Sequence, residues 1–487
     1  MNFNLSTILD QIIDSVPLFK PELTLVIGFI ICILTALFVG SRWKNLVFSI
    51  FVLTLATASY DLCKQLSTTG TAFSGMWLVD AFGTQARLLI VFGSLVTGLF
   101  IQRRFPNNNG DVYSILLAAT LGMHVLTSTT NWLMAFIGIE TVSIASYVLV
   151  GYFSKTKTQS EAAMKYALFG SVCAAVMLYG LSLLYGLTGN LDFQSPQHLQ
   201  GLMAAPQTII TLALVFVFVG IGFKLSFVPF HVWSPDVYQG APTAITAFLS
   251  TVPKVSAILL LTRLYQAWSS TDFYFSELTV YVLVVVAIVT MLVGNLAALR
   301  QSDSKRMMAY SSIGHTGFLV MAIFAYQDTY NYLLFYSIAY VTMNLAAFLF
   351  IDHLEQQTGS TKLRAYAGLG KKMPALFTAF TLLAVSLIGL PPTIGFIGKL
   401  MVFSAVFDLY QETNALPILL LLIVGALTSV ISLFFYFRIP LYAFLRATDT
   451  VYESYKGPTI LSLIGYALTA LTILFGLFPS LLFDLLA

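Results

Sequence analysis

Apolar runs of about 18 or more residues recur along the whole chain, and they constrain its fold more than any other feature. Each run is long enough to cross the roughly 30 Å hydrocarbon layer of a membrane as one helix. Only 9% of the 487 residues are charged, whereas a soluble domain of this size carries about a quarter. The runs do not alternate between apolar and polar residues, as the strands of a membrane barrel do. The sequence therefore predicts an all-α polytopic membrane protein.

The runs predict about fourteen transmembrane helices, which we interpret as a single membrane domain, 1–487. Their centres lie near Ile30, Leu53, Phe92, Ala119, Val142, Met177, Val215, Leu249, Val286, Phe318, Tyr340, a long run from Val385 to Val402, Val424 and Leu471. The connections are short, and even the longest polar stretch, from Asp352 to Met373, is too small to form a soluble domain.

Basic residues occur mainly in alternate loops, and this segregation predicts an orientation. If the N-terminus is outside, the loops after odd-numbered helices are cytoplasmic. Those loops hold Arg42, Lys44, Arg103, Arg104, Lys155, Lys157, Arg300, Lys305, Arg306, Lys362, Arg364, Lys371, Lys372, Arg446 and Lys456. The opposite side keeps Lys20 and Lys64, and we place Arg263 there as well. Fourteen helices then put both termini on the outer side.

A few charges lie inside the apolar runs, and the loop assignment does not explain them. They are Glu140, Lys165, Lys224, Lys254 and Lys399, with Glu140 the only acid that we identify deep in a run. A charged side chain at mid-membrane costs about 2.5–3.5 kcal/mol on insertion scales, so such groups are retained where they have a function. The alternative is that they reach the interface or form structural ion pairs, which fits Lys165 best because it is close to a boundary.

Other polar residues in or beside the runs leave alternatives open. His231 and His315 either relay protons near neutral pH or are hydrogen-bonded structural histidines. Arg87, near the start of the third helix, is expected to reach the interface or to pair with Asp80. His124, toward the outer end of the fourth helix, receives no role.

Helix-breaking residues accompany three of the buried lysines. They are Gly220, Gly222 and Pro229 around Lys224, Pro253 beside Lys254, and Pro391 and Pro392 before Lys399. Pro253 lacks an N–H group and therefore frees the carbonyl of Leu249. Interrupted helices are tolerated in a membrane only where the freed groups meet protein or a water-filled cavity.

The segments around Lys224 and Lys399, IGFKLSFVPF and IGFIGKLMVF, resemble each other when a two-residue insertion is allowed. They fall in helices seven and twelve, and an odd separation reverses the direction across the membrane. Inverted repeats with interrupted helices are typical of transporters that bind their ion near the midplane.

These charges predict a path for protons. Burial disfavours the charged form of a lysine or glutamate, whereas a nearby opposite charge favours it. Lys224 beside Glu140 can therefore hold or release a proton as its partner moves, with Lys254 and Lys399 as further stations. The sequence contains no nucleotide-binding glycine motif and no Cys/His cluster with metal-ligand spacing, so we expect no cofactor or metal on this chain.

In four segments the chain resembles subunit N of the respiratory NADH–quinone oxidoreductase (complex I; subunit 2 in mitochondria), an antiporter-like subunit. The segments are VPFHVWSPDVYQGAPTAITAFLSTVPK, ASYVLVGY after Glu140, KRMMAYSSIGHTGFL and LPPTIGFIGKL. The resemblance covers nearly the whole chain and includes its fourteen-helix length. PDVYQGAP is typical of subunit N, and Lys399 argues against the paralogous subunit M, which has a glutamate in helix twelve.

The resemblance implies two inverted five-helix repeats with interrupted helices 7 and 12. Helices one to three would occupy 1–108, the first repeat 109–270, the second repeat 271–446 and helix fourteen 447–487. The working groups would be Glu140, Lys224, Lys254 and Lys399, and Arg87 is not part of the family pattern.

The resemblance also implies a division of labour within an enzyme that transfers electrons from NADH to quinone. This chain would pump protons in a bacterial plasma membrane without redox chemistry of its own. NADH, flavin mononucleotide, iron–sulfur clusters and quinone would be held by partner subunits. The direct partners would be other membrane subunits, especially antiporter-like and small helical ones. Two alternatives remain: a subunit of a multi-subunit cation/proton antiporter, and a structural scaffold whose buried charges only pair.

Overall fold

The computed structural model describes residues 5–39, 43, 45–106, 110–269, 274–324, 331–447 and 457–486. From the N-terminus the helices are α1 (Leu5–Ser15), α2 (Lys20–Phe38), α3 (Leu46–Gln65), α4 (Ala81–Arg104), α5 (Asp111–Ser128), α6 (Trp132–Tyr152), α7 (Lys157–Thr188), α8 (Pro196–Ala204), α9 (Gln207–Leu225), α10 (Trp233–Gly240) and α11 (Thr243–Ser250). They continue as α12 (Val252–Ser269), α13 (Tyr274–Ala298), α14 (Ser304–Ile323), α15 (Asn331–Thr358), α16 (Pro374–Ile388), α17 (Ile394–Thr413), α18 (Leu416–Tyr436), α19 (Arg438–Leu445), α20 (Ile460–Leu477) and α21 (Pro479–Leu486). Short 3₁₀ turns cover Val16–Phe19, Leu363–Tyr366 and Leu369–Lys371.

Thirteen of the described helical segments are long and apolar enough to cross a membrane. The predicted tenth span is α14, which is less apolar because it begins with Lys305 and Arg306 and carries His315 among small polar residues. The first half of the predicted twelfth span is α16, which has only 15 residues. The prediction of an all-α polytopic membrane protein is confirmed. Arg42, Lys44 and Lys456, three of the predicted loop charges, lie outside the described residues.

The chain forms two compact units. The first comprises Met1–Phe153, Ala163–Lys224 and Val252–Thr279, and the second comprises Ser154–Ala162, Leu225–Thr251 and Val280–Ala487. The predicted division into residues 1–108, 109–270, 271–446 and 447–487 follows helix repeats rather than compactness, and it stays a prediction.

In the first unit α5 packs against α2, α4, α6 and α12. A two-stranded antiparallel hairpin, β1 (Gly70–Ala72) and β2 (Trp77–Val79), connects α3 to α4. Asp80 follows the hairpin and caps α4 by accepting a hydrogen bond from the Gly83 amide at 2.8 Å. This N-cap fixes the start of α4, the helix that carries Arg87.

In the second unit α15 is the central helix and packs against α11, α14, α17 and α20. It is buried on all sides over most of its 28 residues. Tyr336, Tyr340 and Asn344 recur on it at four-residue spacing, so their polar groups form a stripe along one face. Because buried polar groups need partners, this stripe marks where the neighbouring helices supply hydrogen bonds.

The helices are interrupted beside three of the lysines. α9 ends at Leu225, and the chain is non-helical over 226–232, so Lys224 precedes its interruption. α16 ends at Ile388 and α17 begins at Ile394, so Lys399 follows its interruption. Between α11 and α12 only Thr251 is non-helical, three residues before Lys254.

The proposed match between IGFKLSFVPF and IGFIGKLMVF is therefore wrong as an alignment of structure. The first segment runs out of the end of α9, whereas the second lies within the first turns of α17. The shared letters reflect small and apolar residues that suit either end of a transmembrane helix. The inverted repeats themselves stay a prediction.

Candidate functional site

Lys224 and Glu140 lie on two helices of the first unit, and a serine hydroxyl joins their surroundings. Lys224, in the last turn of α9, is 3% exposed, whereas Glu140 on α6 is only half-buried. The Lys224 ammonium donates a hydrogen bond to Ser143 Oγ at 3.4 Å. Ser143 comes three residues after Glu140, so both side chains are on the same face of α6. The charges of Glu140 and Lys224 are close enough to interact. The structure thus brings the predicted pair together.

Lys254 belongs to the same unit and is 1% exposed, on the first turn of α12. All but two of the described residues of that helix are buried, so the lysine cannot extend along its own helix to a membrane interface. The carbonyl of Leu249, which Pro253 leaves without its helical donor, accepts a hydrogen bond from the Tyr238 hydroxyl at 3.1 Å. The predicted interruption is therefore satisfied by protein.

Lys399, in the second unit, is 5% exposed and closes the end of another helix. Its ammonium donates to the carbonyls of Ile388 at 2.8 Å and Leu387 at 3.3 Å, the last two residues of α16. It also donates to Ser429 Oγ at 3.3 Å and lies 4.5 Å from the ring centre of Phe318. A helix C-terminus carries partial negative charge, so this position favours a cation.

Gly389 makes this approach feasible. It follows the last residue of α16 with φ +90°, a left-handed conformation that favours glycine. A Cβ atom at this position would lie 2.7 Å from Lys399 Cδ, which is closer than carbon atoms pack. Glycine is therefore required at position 389, because the Lys399 side chain passes close to the backbone there.

His315, on α14 in the second unit, is 4% exposed and hydrogen-bonded through both ring nitrogens. Nδ1 contacts the Tyr336 hydroxyl at 2.8 Å, and Nε2 contacts the Tyr436 hydroxyl at 3.1 Å. Tyr436 in turn bonds to Ser311. These groups form a buried chain of hydroxyls and an imidazole, each of which both donates and accepts.

The two remaining candidates are less enclosed. The Lys165 side chain is exposed on α7, in line with its predicted position near a boundary, and the structure gives no reason to single it out. His231 is half-buried in the non-helical segment after α9. Lys165, Glu140, Lys224 and Lys254 belong to the first unit, whereas His231, His315 and Lys399 belong to the second.

Glu22, Arg87 and His124 form a buried cluster that the sequence did not reveal. Glu22, in the first turn of α2, is fully buried, so Glu140 is not the only acid inside the protein. Arg87 is fully buried and donates to Glu22 Oε1 at 2.9 Å, so the expectation that it reaches the interface or pairs with Asp80 is wrong. Glu22 follows a proline at the start of an apolar run, a position typical of a helix boundary, so its burial could not be predicted.

Asp80 pairs with Arg263 instead. The two guanidinium nitrogens of Arg263 donate to the two Asp80 oxygens at 2.9 and 3.0 Å, and its Nε donates to the Thr127 carbonyl at 2.5 Å. Arg263 is buried within α12 rather than exposed in a loop, and its assignment to the outer side stays a prediction. Burial alone would raise the pKa of Asp80, but the Arg263 charge and the Gly83 amide lower it below its usual range. Asp80 is therefore an anion in a fixed bidentate pair.

The arrangement suits movement of protons more than chemistry on an organic substrate. Lysines and hydroxyls in a buried setting exchange protons through hydrogen bonds. Within the described ranges, no group of three or more His, Cys, Asp or Glu side chains is placed to hold a metal ion.

Comparison with known proteins places these features in a family. A family described as "NADH:quinone oxidoreductase/Mrp antiporter, TM" matches residues 129–435. The chain is 37% identical over 474 residues to NADH-quinone oxidoreductase subunit N 2 of Chloroherpeton thalassium, covering 94% of this chain and 91% of that protein.

Solved structures share the fold over almost the entire chain. A chain of respiratory complex I from Thermus thermophilus with bound aureothin is 31% identical, with a TM-score of 0.79, and the match covers 96% of this chain and 99% of that one. A chain of the Mrp complex from Dietzia sp. has a TM-score of 0.81 over 96% of this chain and 95% of that one. At 20% identity it shows the shared fold alone.

Proposed function

This chain belongs to the subunit N family of NADH–quinone oxidoreductases, and we propose that protons cross it along Glu140, Lys224, Lys254 and Lys399. As a membrane subunit of this enzyme it couples electron transfer to proton translocation. The observation that carries the proposed path is the enclosure of three lysines in an apolar helical protein, each beside a helix interruption. Burial of several cations in a membrane protein costs free energy, so such residues are retained where they have a function.

The first step of the path uses the Glu140–Lys224 pair. When Glu140 is charged it stabilises the ammonium of Lys224, and when it is neutralised that stabilisation is lost. Ser143, which accepts from Lys224, can pass a proton on because a hydroxyl accepts one hydrogen bond while it donates another. The pair is therefore a switch whose state depends on the charge of Glu140.

Lys254 and Lys399 are the later stations. Three acceptors surround the Lys399 ammonium and match its three N–H donors, so this geometry holds the charged form. Release of the proton would leave one acceptor without its partner. A change in the spacing of α16 and Lys399 would therefore favour release, which gives a physical means of coupling proton exit to helix movement.

Candidate relays supplement the four groups. His315 with its tyrosine and serine neighbours offers a neutral hydrogen-bonded chain in the second unit. His231 and Lys165 are retained as relays from the sequence pattern alone.

We also propose a setting for the path that is consistent with the family. We place the NADH, flavin mononucleotide, iron–sulfur clusters and quinone in partner subunits, and the direct contacts with antiporter-like and small helical membrane subunits. The family resemblance supports a bacterial plasma membrane, and the loop charges favour an orientation with both termini outside. The repeats 109–270 and 271–446 would then provide two half-paths of opposite direction.

The test compares Glu140→Gln and Lys224→Met with the control Lys157→Met, which removes an exposed lysine. Membrane vesicles that contain the assembled complex are given NADH, and acidification is measured per NADH oxidised. We expect a severalfold loss in both path variants and none in the control. An unchanged proton yield in both path variants would refute the path and favour a scaffold role, whereas a sodium requirement would favour a cation/proton antiporter.

A further inference from the structure

Glu22, Arg87 and His124 form a second group of buried ionisable residues, apart from the proposed path. They lie on α2, α4 and α5 of the first unit, and all three are fully buried. Glu22 Oε1 accepts from Arg87 Nη1 and contacts His124 Nδ1, both at 2.9 Å. One carboxylate oxygen therefore serves both neighbours.

In this group the Arg87 donors have acceptors, but two acceptor atoms have no donor. Arg87 also donates to Thr84 Oγ1 at 2.9 Å and to Gln65 Oε1 at 3.5 Å. Within the described residues, the buried atoms Glu22 Oε2 and His124 Nε2 have no hydrogen-bond partner. With Nδ1 donating to the carboxylate, a neutral His124 carries a lone pair on Nε2. The group thus has two unmatched acceptor atoms, and a buried acceptor without a donor is destabilising.

Three acids near this group are paired with bases, whereas α6 and α12, which also pack against α5, carry Glu140 and Lys254 of the proposed path. Asp61 on α3 pairs with Lys20 at 3.0 Å, Asp80 before α4 pairs with Arg263 of α12, and Glu22 pairs with Arg87. Gln65 of α3 is neutral and bonds to the main chain at Leu18. A proton bound by His124 or Glu22 would therefore change the charge of the Glu22, Arg87 and His124 group from zero to positive.

We propose that Glu22 and His124 together bind one exchangeable proton beside Arg87. The proton comes from a hydronium ion, which leaves as water, and forms one N–H bond at His124 Nε2 or one O–H bond at Glu22 Oε2. Either position converts an acceptor into a donor. As a further proton-holding site in transport the pair rests on the proposed function, but its proton binding does not.

A structural histidine in the same unit shows what the pair lacks. His198 is equally buried, but its Nδ1 contacts the Asn190 carbonyl at 2.8 Å and its Nε2 accepts from Trp132 at 3.3 Å. Both ring nitrogens are thus occupied by protein groups that fix one neutral tautomer. At His124 the Glu22 carboxylate contacts Nδ1 and favours a cationic ring, against the opposing effects of burial and of the Arg87 charge.

The test uses infrared difference spectra of the purified, assembled complex between neutral and mildly acidic pH, without NADH. His124→Asn keeps an N–H donor near the position of Nδ1 but removes the ring nitrogen that would bind the proton. We expect this variant and Glu22→Gln to lose the same imidazole and carboxyl bands, and the control His198→Asn to keep them.

A wild-type difference spectrum in His124→Asn would overturn the proposal. If Glu22→Gln fails to assemble because Arg87 loses its partner, Glu22→Gln/Arg87→Gln restores neutrality and is expected to lose the bands as well. Their retention in that double variant would also overturn it. Because the spectra need no turnover, failure of this site is distinguishable from failure of the Glu140–Lys224 path, which is read from acidification.

Discussion

The ammonium of Lys399 lies 2.8 Å from the carbonyl of Ile388, the last residue of the helix that precedes it. A side chain from α17 thereby completes the hydrogen bonding of α16 across their interruption. The lysine is both a candidate proton carrier and the group that closes a helix end. Substitutions at this position separate the two roles.

Lys399→Arg and Lys399→Met are expected to differ. Arginine keeps donors for the α16 carbonyls but does not release its proton in a protein, so we expect an assembled complex with severalfold lower proton yield. Methionine leaves the carbonyls of Leu387 and Ile388 without that donor, which costs about 1–3 kcal/mol, so we expect a lower thermal inactivation temperature as well. Thermal inactivation and vesicle acidification measure the two effects. A normal proton yield in Lys399→Arg would contradict a carrier role.

Gly389→Ala is expected to disturb Lys399 without changing any charge. The left-handed backbone costs about 1–2 kcal/mol with a Cβ, and that Cβ would displace the lysine stem. We expect a lower proton yield per NADH oxidised. The control is Gly359→Ala, where φ is +67° and no atom lies within 4 Å of the added Cβ, so it has the backbone strain alone. Equal effects in both variants would mean that contact with Lys399 does not matter.

Ser143→Ala removes the hydroxyl that accepts from Lys224. We expect the loss of about 0.5–1 kcal/mol, which corresponds to a roughly two- to fivefold lower rate of proton transport, because the Glu140 charge remains. Ser171→Ala is a suitable control, since its exposed hydroxyl bonds only to its own helix at Ala167. Initial rates of vesicle acidification decide between them, and a wild-type rate in Ser143→Ala would exclude the hydroxyl from the path.

Asp80→Asn is expected to weaken the pair with Arg263. The pKa of Asp80 is lowered in the folded protein, so the pair stabilises the fold above the ordinary pKa of aspartate, about 3.9, and loses this effect as pH falls below it. At neutral pH we expect a loss of about 1–3 kcal/mol, seen as a lower thermal inactivation temperature. Asparagine retains the oxygen that caps α4, so the change reports on charge. The difference from wild type should shrink toward acidic pH, and a constant difference would assign it to packing.

The sequence was sufficient to identify the lysines because their cost in a membrane depends on the apolar run around each one. Lys224, Lys254 and Lys399 stand within their own runs, and the proline or glycine beside each signals an interruption. The fold class followed from the same runs. These are local features, and the structure agrees with them.

The partners of the charges could not be predicted. Glu22 and Arg87 are 65 residues apart, and Asp80 and Arg263 are 183 apart, so only the packed helices show which acid meets which base. The sequence match around Lys224 and Lys399 failed for a related reason. Small and apolar residues recur at both ends of helices in lipid. A similarity over ten residues therefore does not show whether a segment ends one helix or begins another.

The burial of Lys254 has a consequence for insulation. A membrane that stores an ion gradient is useful only while ions do not leak back, and a charged group reachable from both aqueous phases at once would be a leak. Lys254 has 1% of its surface exposed, on a helix surrounded by protein, so as a proton carrier it would reach water only when its neighbours rearrange. The same packing that makes the lysine costly to bury would then keep the stored gradient from discharging through it.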